Sequence, residues 1–155
     1  MKKLLLLLAS AAVASLLPVA ASAAGPGKPT VVLQFLDVST SFTSTSGGNT
    51  ERFGDQFAFH DDIYRWNGTK RGALIGHADI TATIIAPNMS RLSAVAHLPG
   101  GTLVVFGDNV NSARTQVLPV IGGTGIYATA RGELIARNIG GENSNNTAIT
   151  IRLWM

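Results

Sequence analysis

Gly123-Thr124-Gly125-Ile126-Tyr127-Ala128 fits the G-x-G-x-x-[GA] pattern, in which glycines let a strand turn into a helix whose N-terminus holds a dinucleotide phosphate. A strand-like apolar run, Leu118 to Ile121, precedes it as that reading requires. The residues that follow do not support it. Tyr127, Thr129, Arg131, Glu133, Ile135 and Arg137 alternate with Ala128, Ala130, Gly132, Leu134 and Ala136, a period of two rather than 3.6. Only a short Gly/Asn-rich loop and one last strand remain, which leaves no room for the crossover helix and second parallel strand. The segment therefore reads as a tight antiparallel corner.

Other residues with chemical potential are His60, His77 and His97, together with several aspartates. Imidazole and carboxylate are metal ligands, but these positions show no His-x-His or HExxH spacing, so the fold itself would have to gather such a site. No metal is expected on this spacing. Asp61-Asp62 follows a strand-like segment, where Asp also serves to close a turn. Arg131 and Glu133 share a strand face and are expected to pair as surface or subunit ions.

The elements around these residues are strands. Residues 1–23 read as a signal peptide: Lys2-Lys3, an apolar run from Leu4 to Leu17, then Ala21-Ser22-Ala23 as the cleavage site. Residues 24–29 are a short linker and 30–155 a single domain, expected to be secreted or periplasmic with no membrane anchor after cleavage. Without Lys2 and Lys3 the formal charge falls from +3 to +1, which leaves no nucleic-acid footprint. There is no cysteine, so an exported domain must hold together by a large core or a sheet with no free edge.

Strand-like stretches run over Thr30–Asp37, Gln56–His60, Ala73–Ile85, Leu92–Leu98, Thr102–Phe106, Leu118–Ile121, Tyr127–Arg137 and Ala148–Trp154. Ser39 to Asn49 is Ser/Thr/Gly-rich and reads as a mobile loop. With no amphipathic helix, an all-β barrel or sandwich follows. In Ala73–Ile85, Leu74, Gly76, Ala78, Ile80, Ala82 and Ile84 make an apolar or small face, and His77, Asp79, Thr81 and Thr83 lie on the other. Periodicity alone leaves two arrangements open: the polar face lines a lumen, or it meets solvent over a core-facing apolar one.

The chain resembles the dirigent proteins and their allene oxide cyclase-like barrel relatives. Phe53-Gly54-Asp55-Gln-Phe-Ala-Phe-His60-Asp61-Asp62-Ile-Tyr64 is similar to the dirigent "FG…VFDDPLT". Gly76-His77-Ala78-Asp79 stands where dirigents have Gly-Arg-Ala-Gln. Thr102–Gly107, Leu118–Gly125 and Ala130-Arg131-Gly132 match "TLSVLG", "LPVVGGTG" and "ARG" in order, so the likeness runs from about Val31 to the end.

The resemblance implies an all-β, eight-stranded antiparallel β-barrel with a central cavity, and a homo-oligomer, dimer or trimer. It implies an activity by confinement: a small apolar or aromatic molecule is held in the barrel while cyclisation or coupling gives one stereoisomer, without a cofactor. A separate oxidase is a further implied partner, as supplier of the reactive substrate. The alternative is a non-catalytic extracellular barrel that binds a small hydrophobic ligand. Carried over by position, Asp37, Asp61, Asp62 and His77 are the implied catalytic residues, with His77 in place of a pocket Arg. Asp79, two residues on, would orient it. Phe35, Phe59, Asp79, Thr81 and Tyr127 are the implied substrate-binding residues.

Overall fold

The computed structural model describes residues 27–45, 51–140 and 144–155. The expected leader and the first half of the linker lie outside the described residues. Alternation of apolar and polar side chains gives eight strands: β1 (Val31–Ser44), β2 (Gln56–Trp66), β3 (Arg71–Ala86), β4 (Met89–Leu98), β5 (Gly101–Val110), β6 (Thr115–Gly123), β7 (Arg131–Ile139) and β8 (Asn146–Trp154). Each pairs antiparallel with its neighbour in sequence, and β8 returns to β1, so the barrel is closed. Closure removes the free edges that a sheet without disulfides would otherwise expose.

The two ends of the barrel differ. At one end Leu98, Val120, Tyr127, Ala130 and Leu153 are buried and form an apolar plug. Gly125–Tyr127 is a 3₁₀ turn that folds over this end. Tyr127, expected on a strand against substrate, is buried in the plug, where its hydroxyl donates to Pro99 O at 3.4 Å. The glycine corner curls the chain back before β7 begins at Arg131, so Tyr127 never joins the sheet.

Three further expectations change once strands are paired. Ser39–Ser44 is the second half of β1 rather than a loop, with Phe42 opposite Phe59 and Ser44 opposite Phe57. Pairing with β2 supplies the backbone hydrogen bonds that Ser and Thr composition does not reveal. The apolar face of β3 does not extend to Leu74: the register slips between Ile63 and Tyr64, leaving Leu74 opposite Tyr64 and exposed.

Glu133 bonds Arg152 on β8 at 2.8 Å, while Arg131 donates to Ala130 O. A residue directly across a ladder is nearer than one two positions along the same strand. Because this pair is at the surface, Glu133→Gln is expected to cost less than about 1 kcal/mol in denaturant unfolding.

Candidate active site

Above the plug the barrel holds a chamber of about 610 Å³. Small side chains create the space: Ala78, Ala94, Ala96 and Ala136 stand where larger residues would meet at the axis. Phe35, Ile80, Leu92, Leu134 and Ile149 make most of the remaining wall apolar. Among the described residues, no Lys, Arg or His lines it.

Two carboxyl groups break the apolar wall. Asp37 on β1 and Asp61 on β2 both face inward, because Asp37 stands opposite Ile63 and Ser39 opposite Asp61 in the β1–β2 ladder. That makes the two aspartates diagonal neighbours on one face. Asp61 is 6% exposed, and its Oδ1 has no hydrogen-bond partner among the described residues. Burial pushes the Asp37 carboxyl up to about 8, and the hydrogen bond and negative charge of Asp61 push the same way. Near neutral pH Asp37 therefore holds a proton beside Asp61.

The chamber mouth is shaped by an irregularity no composition signals. Between Ser39 and Ser41 the β1–β2 register shifts by one residue, a β-bulge. The shift turns Phe42 inward, and its ring lies 5.1 Å from that of Phe59 and 5.9 Å from that of Phe57. Phe42 and Phe59 line the chamber and Phe42 is 58% exposed, so an aromatic lip meets an entering molecule. Sequence reasoning missed Phe42 and also Thr147, which stands opposite Asp37 on β8.

The other implied residues fall elsewhere. Of the catalytic set, Asp37 and Asp61 come together in the chamber with Phe35 and Phe59. His77 does not, and neither do Asp62, Asp79 and Thr81. On β3, Ala78 and Ile80 take the inward positions, and strand alternation sends His77, Asp79 and Thr81 to the outer wall. The solvated arrangement of that strand is the one adopted: the large apolar gain comes from facing Ala78, Ile80, Ala82 and Ile84 inward. Asp62 also faces out, accepting from the Tyr64 hydroxyl at 3.1 Å.

On the outer wall Asp79 pairs with His60, Nδ1 to Oδ1 at 2.7 Å, not with His77. The bond holds the His60 imidazolium above its ordinary range and the Asp79 carboxyl below its own. An Asp79–His77 dyad acting on a chamber substrate is therefore replaced by a surface cluster.

The dirigent-like protein family model matches residues 23–153. No curated protein matches the chain. Among solved structures, a pyocyanin demethylase superposes with a TM-score of 0.65 at 19% identity, over 80% of this chain and all of that one, 100%. A pterocarpan synthase dirigent protein gives 0.63 at 19% identity, covering 81% of this chain and 96% of its own. An exo-specific intermolecular Diels-Alderase gives 0.66 at 17% identity, covering 79% and 95%. These likenesses concern the barrel. The family match, which covers nearly all of the described chain, makes this protein a member of the dirigent-like family.

Proposed function

We propose that the protein is an exported cyclase or stereocontrol protein that admits one small apolar or aromatic molecule to its barrel and directs ring closure or coupling there without a cofactor. The observation that carries this reading is the Asp37–Asp61 pair set in an apolar chamber. A chamber built only to bind a hydrophobic ligand gains nothing from two carboxyl groups in its wall, since burying them costs free energy. An acid and a carboxylate side by side are instead a proton donor and acceptor.

For a ligand bearing a hydroxyl and a quinone-methide-like acceptor, the steps balance without oxidation or reduction. Asp37 gives its proton to the acceptor oxygen while the Asp61 carboxylate takes the hydroxyl proton. The freed oxygen attacks the electrophilic carbon and closes the ring. Transfer of the proton from Asp61 to Asp37 along their hydrogen bond restores the pair. Asp61 lines the chamber wall, where its carboxylate can accept that hydroxyl. The apolar walls and the Phe42–Phe59 lip exclude water and hold one folded conformer, which selects one stereoisomer. A chamber of about 610 Å³ lies within the range of about 300–1,000 Å³ that encloses a drug-sized molecule. A separate oxidase supplying the reactive substrate, and assembly as a homo-oligomer, belong to this proposal.

The test begins with mass spectrometry of small molecules that co-purify with the protein, to identify the ligand class. Phenolic enones and quinone-methide precursors of that class are then incubated with wild type, Asp37→Asn and Asp61→Asn. Single-isomer product from wild type, and at least about a hundredfold less from either variant, is expected. Equal rates from all three would sink the acid–carboxylate assignment, and tight ligand retention with no product would make the barrel a binding protein.

The chamber itself has a separate check. Ala94→Phe adds a ring to the inner wall where space exists, so the fold is retained while a neutral apolar dye such as N-phenyl-1-naphthylamine loses at least about tenfold in affinity. Unchanged dye fluorescence would place dye binding outside the barrel.

A further inference from the structure

All three histidines of the chain lie together on the outer wall, on three adjacent strands. His77 and His97 are directly opposite in the β3–β4 ladder, with rings stacked at 4.5 Å and inclined by only 14°. His60 lies on the other side of His77, its ring 5.3 Å away. Asp79, two residues after His77, projects from the same face and stands opposite His60 in the β2–β3 ladder.

We infer that His77, His97 and Asp79 form an outer-wall site for a borderline divalent transition metal, Zn²⁺ or Cu²⁺, with His60 orienting the carboxylate. One nitrogen from each of His77 and His97 and one Asp79 oxygen lie within 4.8 Å of one another. Ligands about 2.0–2.1 Å from a tetrahedral ion are separated by roughly 3.3 Å, so closing the set takes up to about 1.5 Å of side-chain movement. The side chains are free to make it: those of His97 and Asp79 are 44% and 60% exposed. The Asp79 Oδ2 to His97 Nε2 distance is 3.8 Å, close to that ligand edge already.

The two oxygens of Asp79 have separate tasks. His60 Nδ1 holds Oδ1 at 2.7 Å, which leaves Oδ2 aimed toward His97. A hydrogen-bonded partner of this kind behind a ligating group fixes its orientation and sharpens affinity. Two imidazoles with one carboxylate exclude Mg²⁺ and Ca²⁺, which require oxygen-rich sites, and favour ions at the Cu²⁺–Zn²⁺ end of the divalent series. The rigid ladder supplies the preorganisation, since cross-strand positions already hold the two ring-bearing residues side by side. The site is independent of the chamber: its ligands project from the opposite face of the same sheet.

Isothermal titration of Zn²⁺ into metal-stripped protein without a polyhistidine tag tests it. One equivalent is expected to bind with micromolar affinity, and His77→Ala and His97→Ala each to weaken it at least tenfold. Glu133→Gln, in the surface ion pair between β7 and β8, leaves it unchanged. His60→Gln is expected to weaken binding several-fold without changing the stoichiometry. With Cu²⁺, electron paramagnetic resonance should show nitrogen hyperfine splitting that His97→Ala reduces. Melting temperatures of the variants within a few degrees of wild type confirm that folding is intact. No binding at 100 equivalents of metal, or binding that survives His77→Ala/His97→Ala together, would overturn the assignment.

Discussion

Asp37→Asn is expected to raise the melting temperature at pH 8 by roughly 10 °C while removing the proton transfer proposed for the chamber. The wild-type carboxyl pays desolvation and stands beside Asp61, and both lift it from 3.8 to about 8. Between those values the folded state holds a proton that the unfolded state has released. Stability therefore falls as pH rises from about 4 to about 8 and levels off above. The ideal cost of such a shift is several kcal/mol at about 1.4 per pH unit. Asparagine matches the neutral acid in shape and can donate to Asp61, so it carries no such cost. The quantity to measure is the stability difference between variant and wild type from pH 4 to pH 9, in which titrating groups remote from the Asp37–Asp61 pair cancel. A flat difference would mean that Asp37 is solvated, and the chamber chemistry would lose its acid.

Asp61→Asn separates the causes. Desolvation is the largest single contributor to the Asp37 shift, followed by the hydrogen bond and then the charge of Asp61. Removing the Asp61 charge should therefore bring the Asp37 titration, followed by carboxyl carbon NMR, down only part of the way, with desolvation still holding it above the ordinary carboxylate range. A full return would make charge repulsion the dominant effect and the pocket wetter than its lining implies.

Gly125→Ala is the second large effect, expected to cost about 3 kcal/mol or more and to lower the melting temperature by more than about 10 °C. At φ +60 the backbone is left-handed, and an added Cβ would stand 2.0 Å from the carbonyl oxygen of Gly100. The alternative of moving the turn is closed, because Ile126 N donates to that same Gly100 oxygen at 2.9 Å. Gly54→Ala is the control. Its φ is +88 but nothing lies within 4 Å of the added carbon, so only the backbone penalty of about 1 kcal/mol remains. Thermal melts of the two variants side by side give the comparison. Equal losses would show that the corner yields to a side chain, and that its glycines are not what seats the turn over the plug.

The glycine corner also marks how far a linear reading reaches. Alternation after Tyr127 was enough to reject a nucleotide site, and eight alternating segments with turn residues between them were enough for an all-β barrel or sandwich, which the dirigent resemblance narrowed to the closed antiparallel barrel observed. Both follow from local physics: side-chain period and turn chemistry are written residue by residue. Resemblance to dirigent proteins added Asp37 and Asp61, which the chamber brings together.

Tertiary structure decided which way each face of a strand points. His77 and Ala78 are adjacent, so one must face in and the other out; periodicity alone is symmetric between the two choices. Closing the barrel breaks that symmetry, because the inner circumference is filled by Ala78, Ile80 and their cross-strand partners while imidazole and carboxylate remain hydrated outside. The bulge that turns Phe42 into the chamber mouth and the slip that turns Leu74 out are registers between strands, properties of pairs rather than of either segment. The gathering of His60, His77 and His97 is likewise invisible at spacings of 17 and 20 residues, and becomes a cluster only when β2, β3 and β4 lie side by side.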